Sequence, residues 1–153
     1  MENIHHPLES IRFNFDVLVV GAGPAGLMAA EHALLAGLKV AVADAMPALA
    51  RKFLMAGKSG LNLTKQEGPA AFIKNYDAIE SLRPMLTEFG PTEVINFAQD
   101  LGQEVFTGST GRVFPKVMKA SSLLRSWLAR LETLGVTFLR QHRWVGPLEA
   151  SET

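Results

Sequence analysis

Two apolar runs and the small-residue segment between them organise the first third of the chain. Residues 16–20 (DVLVV) form a short apolar run that predicts a strand. Residues 24–36, rich in alanine and leucine, predict a helix that begins on Pro24 and is closed by Gly37. Residues 39–43 read as a second strand of the buried, parallel type, ending at Asp44. After a loop over 45–65, helical spacing returns in 69–82 through Phe72, Tyr76 and Ile79, and again in 92–101, which Gly102 closes. Aromatic residues at helical spacing are usually core positions, so Phe72, Tyr76, Phe89 and Phe97 are expected there rather than stacked on a ligand. The segments 104–106 and 112–114 flank Thr107, Gly108, Ser109, Thr110 and Gly111, which predicts a hairpin or an irregular glycine turn. Leu123, Leu124, Trp127, Leu128 and Leu131 make a broad apolar stripe on a helix capped by Ser121 or Ser122 and running to Leu134. Residues 136–140 then supply a strand, and Trp144 with Val145 starts another.

The turn between the first strand and the first helix carries the clearest chemistry. Gly21, Gly23 and Gly26 form a GxGxxG spacing placed between strand and helix, where each glycine has a distinct task. Gly21 permits a tight turn, Gly23 permits close approach of a pyrophosphate to the helix N-terminus, and Gly26 permits close helix packing, with Ala29, Ala30 and Ala33 keeping that surface small. Asp44 stands eighteen residues after Gly26, where a carboxylate accepts hydrogen bonds from ribose hydroxyls and repels a 2′-phosphate. The unit therefore favours FAD or NAD over NADP, and by itself does not separate the first two.

Composition narrows the class. The 153 residues are 48% hydrophobic and 20% charged with zero formal net charge, one domain's length with no basic cluster, which argues against nucleic acid as the main partner. No apolar run approaches the roughly 20 residues that span a bilayer, and a cytoplasmic protein without a membrane partner is expected. With no cysteine, disulfides, thiolate metal sites and a protein dithiol relay are excluded. Residues 1–14 read as a tail; its His5 and His6 are expected to be exposed terminal residues, and no metal site is predicted.

The loop over 45–65 contains Gly57, Lys58 and Ser59, which invites comparison with a P-loop. The register fails, because Lys52 stands where a Walker motif requires glycine. A ligand-facing loop is the alternative to a solvated basic one: Arg51 and Lys52 supply positive charge, Gly57, Ser59 and Gly60 keep the backbone open, and Asn62 and Thr64 add neutral donors.

Together with the glycine unit, ARKFLMAGKSGLNLTK (50–65) and GRVFPKVMKASSLLRSWLARLETLGV (111–136) resemble a family of bacterial FAD flavoproteins, the NAD(P)/FAD-dependent, aminoacetone-oxidase-like oxidoreductases. The resemblance extends from Phe15 to about Val145. It implies FAD as the tightly held cofactor. It also implies cofactor contacts at Gly21, Ala22, Gly23, Pro24, Ala25, Gly26, Asp44, Ala45, Arg51, Lys52, Gly57, Asn62, Thr64 and Val145, the last through its backbone near adenine. Two departures stand out: Gly60 and Leu61 replace an Arg-Cys pair, as in a GKSGLN-bearing branch, and Ala50 replaces a glycine before Arg51. Arg112 is a candidate to face the cofactor, an acidic substrate or a neighbouring carboxylate.

The expected fold is an α/β, three-layer Rossmann-like FAD/NAD(P)-binding domain over 15–153, with strands at 15–20, 39–43 and 136–140 in a parallel core. Family proteins are several hundred residues long and hold the ribityl chain with a later glycine-aspartate segment. None of the 13 glycines here precedes an aspartate, so the chain is expected to be an N-terminal portion whose missing segment leaves a sheet edge exposed. Three readings follow: an oxidoreductase acting on a small-molecule substrate, with no catalytic residue assigned; a nonenzymatic adenine-nucleotide-binding module; and a fragment of an NAD-dependent dehydrogenase.

Overall fold

A computed structural model describes residues 14–76 and 80–146. Residues 1–13 of the tail with its histidine pair, residues 77–79 of the expected helix over 69–82, and the segment 147–153 lie outside the described residues. The main sheet consists of β1 (Val17–Val20), β2 (Val40–Asp44) and β6 (Thr137–Arg140), all parallel, in the order β1-β2-β6. Val17 aligns with Val40, and Ala41 with Thr137. A smaller antiparallel sheet, in the order β3-β5-β4, joins β3 (Thr64–Lys65), β4 (Val105–Thr107) and β5 (Arg112–Pro115). The predicted hairpin is therefore present, and Phe106 and Phe114 stack across it with ring centroids 5.8 Å apart. Lys116 pairs with Glu104 just outside the hairpin ends, holding the Glu104 carboxyl below the usual carboxylate range.

Helix α1 (Pro24–Leu35) runs between β1 and β2, with Gly37 in the left-handed region at φ 82° beyond its end. The core lies between the sheet and three helices: α1, α5 (Pro91–Asp100) and α6 (Ala120–Thr133). Val40 and Val42 of β2 meet Leu27 and Ala30 of α1 and Leu123, Trp127 and Leu131 of α6 in one apolar cluster. On the opposite face, where side chains alternate with those of the core side, Leu18 and Val20 are 45% and 56% exposed. Ala29, expected against the strand, is exposed on α1, whereas Ala30 is fully buried.

One buried acid was not anticipated. Glu31 of α1 is 6% exposed, and its Oε2 accepts a 2.6 Å hydrogen bond from the Trp127 indole. Its other oxygen lies 3.4 Å from Arg130 Nε, and Phe97 meets Trp127 edge-on at 4.9 Å. This cluster ties α1, α5 and α6 together at one point, because a buried carboxylate requires partners on the elements around it.

Several expected boundaries move. The loop over 45–65 contains α2 (Arg51–Ala56) as well as β3. The helix expected over 69–82 is α3 (Pro69–Lys74), and a 3-10 turn at Glu80–Leu82 leads into α4 (Arg83–Glu88). Pro84, at the start of α4, lacks an N–H and suits only a first helical turn, which is why a new helix starts there. Ser121 and Ser122 do not cap α6; the helix starts at Ala120 with Lys119 as its N-cap, and Ala120 packs against Gly57. No strand forms at Trp144 and Val145, since positive φ at Gln141 (59°) turns the chain away after β6.

Gly26 sets the approach of α1 to β1. A Cβ built there would stand 2.0 Å from the carbonyl oxygen of Gly21, which is backbone and cannot swing aside. Gly26→Ala is expected to destabilise the fold by about 2 kcal/mol, as overpacking does, measured as a lowered midpoint of urea unfolding with unchanged slope.

Candidate nucleotide site

The ends of β1 and β2, the glycine turn and α2 enclose a groove of about 280 Å³. Gly21 turns the chain out of β1 at φ 98°, a conformation open to glycine, and its N–H donates to the Ala43 carbonyl at 2.7 Å. A Cβ built on Gly23 would meet nothing within 4 Å, so the backbone there faces open space at the start of a twelve-residue helix. Asp44 closes the other side. Its Oδ2 accepts from the Ala22 N–H at 2.8 Å and its Oδ1 from the Met46 N–H at 2.8 Å. Each carboxylate oxygen retains a further lone pair for an incoming hydroxyl.

Arg51 and Lys52 line the same groove, and among the described residues neither forms an ion pair. Met46, Ala48 and Phe53 supply apolar wall. The groove thus combines a fixed carboxylate, open backbone amides and two cations, a set suited to a hydroxylated, anionic ligand.

The other candidate residues are distributed around this centre. Ala22 is fully buried and acts through its N–H; Pro24 lines an apolar pocket of about 190 Å³ that shares Phe53 with the groove. Ala25 and Ala45 are exposed beside the groove without lining it. Asn62 and Thr64 face a third cleft of about 620 Å³, which shares Asn62, Leu63, Phe89 and Val94 with the apolar pocket. Gly57 lines none of the three: a Cβ there would meet that of Ala120 at 2.5 Å, so it serves packing. Val145 is 91% exposed and is not brought to the groove. Arg112 opens β5 opposite Lys65, away from Asp44.

Phe72, Tyr76 and Phe89, expected in the core, instead wall the 620 Å³ cleft, Tyr76 and Phe89 at 44% and 42% exposure. Among the four aromatics only Phe97 packs against the buried cluster. Phe72 lies on α3, whereas Tyr76 and Phe89 stand just past the ends of α3 and α4, so no continuous helix face carries them into the core. No helix among the described residues is long and apolar enough to cross a membrane.

A glycine turn opening a helix between parallel strands, with an acid at the end of the second, defines a Rossmann-like dinucleotide-binding α/β domain. Residues 15–152 match the family described as the HI0933-like protein Rossmann domain, and the chain belongs to that family. Among solved structures it is similar to the 3-ketosteroid-delta4-(5alpha)-dehydrogenase of Rhodococcus jostii RHA1, at 17% identity and a TM-score of 0.65, over 84% of this chain and 38% of that one. It is also similar to THI4 of Thermovibrio ammonificans, at 18% identity and a TM-score of 0.52, over 82% of this chain and 38% of the other. At these identities the likeness concerns the fold, and the chain spans less than two-fifths of either structure's length.

Ala50, where the resemblance leads one to expect glycine, is 5% exposed and left-handed at φ 52°, immediately before α2. An L-residue is strained in that conformation. Ala50→Gly is expected to stabilise the chain by about 0.5–1 kcal/mol, after the greater entropy of the glycine-containing unfolded chain is counted, observed as a higher urea midpoint.

Proposed function

We propose that the chain is the FAD-binding portion of a flavoprotein oxidoreductase, with the adenosine diphosphate half of the cofactor in the Asp44 groove. The observation that carries this reading is Asp44 itself, held by two backbone N–H groups across the glycine turn and left with acceptor capacity facing the groove. Ribose hydroxyls would donate to that carboxylate, and the pyrophosphate would approach at Gly23, with Arg51 and Lys52 neutralising its charge. The residues present fit the group. FAD is favoured over NAD by the family resemblance and by the apolar pocket that shares Phe53 with the groove.

When bound, FAD supplies the redox chemistry, and the polypeptide contributes binding and orientation. The fixed carboxylate positions the ribose, the open turn admits phosphate oxygens, and the cations of α2 hold the anion in place. A small-molecule substrate and a cytoplasmic location belong to the same proposal.

Reconstitution separates this reading from a nucleotide module without flavin. The purified chain incubated with FAD and freed of excess by gel filtration is expected to retain flavin absorbance near 450 nm, while Gly23→Val loses it through blocked pyrophosphate approach. A colourless protein that binds ADP but takes up no FAD would contradict the flavin assignment, and equal FAD affinity in Gly23→Val would move the cofactor away from the turn.

A further inference from the structure

Helix α5 breaks a local rule. Its last residue, Asp100, sets a carboxylate at the negative end of the helix dipole, and no basic residue stands in that turn. Among the described residues Asp100 forms no ion pair and no side-chain hydrogen bond. Glu93, near the start of the same helix, accepts the Gly90 N–H at 2.9 Å through Oε2 and leaves Oε1 free. Both acids line a pocket of about 270 Å³ formed by α1, α5 and α6.

Charge in this pocket does not balance. Of its lining side chains only Arg130 is permanently cationic, and its Nε lies 3.4 Å from Oε1 of the buried Glu31. No ion pair joins Arg130 to Glu93 or Asp100 among the described residues, and its Nη1 is buried without an acceptor. The two carboxylates of α5 therefore stand uncompensated. Beside them the pocket is apolar, walled by Met28, Leu35, Phe89 and Phe97, with Leu35 and Phe89 at 65% and 42% exposure. Aromatic faces attract cations, and apolar walls reward a ligand that carries carbon as well as charge.

We propose that this pocket binds a small organic cation with an apolar body, an amidinium or ammonium compound whose head meets Asp100 and Glu93 and whose body lies against Leu35 and Phe89. The pocket shares no residue with the Asp44 groove, so the proposal stands independently of the cofactor reading. It gives a purpose to the unpaired acid at the end of α5, a position where a carboxylate otherwise only weakens the helix.

Benzamidine and its neutral isostere benzamide test the site. Each is titrated into the isotopically labelled full chain and followed by amide NMR. Benzamidine is expected to shift the amides of His32, Leu35, Phe97 and Asp100 saturably, and benzamide at equal concentration is not. Asp100→Asn should weaken benzamidine about threefold, as loss of one exposed ion pair does. Leu35→Lys, which places a cation on the pocket wall at an exposed helical position, should abolish saturable binding, with circular dichroism checking that both variants stay folded. Titration of the FAD-saturated chain should give the same affinity. Equal binding of benzamide, unchanged affinity in both variants, absence of saturable shifts, or displacement by FAD would overturn the proposal.

Discussion

A carboxylate at the end of β2 holds the site together. Asp44 receives the Ala22 N–H from the glycine turn and the Met46 N–H from the outgoing loop, so one side chain fixes the relative position of two crossover segments. The Gly21 N–H, bonded to Ala43, places the turn on the same strand end. Hydrogen bonds to a charged acceptor contribute about 1.5–3 kcal/mol each, enough to hold the turn open before a ligand arrives. Preorganisation of this kind lowers the ordering cost of binding. Close contact at Gly26 completes the arrangement by seating α1 against the turn, so that its first N–H groups border the groove.

The cleft lined by Asn62 and Thr64 depends on a different set of contacts. The segment after α2 is held by main-chain bonds from Leu61 to Met118 and from Leu63 to Val113, and by the packing of Gly57 on Ala120. Residues far apart in sequence thereby bring Asn62 and Thr64 opposite α3, and the small sheet works as a bracket for that loop. Arg51 and Lys52 stay with the nucleotide groove because α2 begins there, ahead of the residues that the small sheet holds.

The parts of this structure that sequence reveals are those governed by local rules. Strand, glycine turn, helix and acid each leave a compositional trace within thirty residues, and β1, α1 and β2 lie within a residue or two of the expected spans. The apolar stripe of α6 is equally local, with Leu123, Leu124, Trp127 and Leu131 all buried. The pairing of β3 with β5 was not legible, because a two-residue strand has no periodicity and exists only through its partner. Nor was the fate of the aromatics: Phe72 and Tyr76 show helical spacing, yet α3 ends at Lys74 beside a cleft, whereas Phe97 lies on α5, which meets the core, and the placement of each helix is a tertiary property. The buried Glu31 lacked any sequence signal, since its partners Trp127 and Arg130 lie on another helix.

The central claim is that the Asp44 groove and the glycine turn receive the adenosine diphosphate half of FAD. The most direct measurement is a residue-resolved amide NMR titration of the isotopically labelled chain with FAD and, separately, with ADP. Both ligands are expected to shift the amide resonances of Gly21, Ala22, Gly23 and Met46, and FAD alone should extend the shifts to Asn62 and Thr64. If those amides stay unmoved at saturating FAD while shifts appear elsewhere, the groove is not the cofactor site and the account built on Asp44 is contradicted.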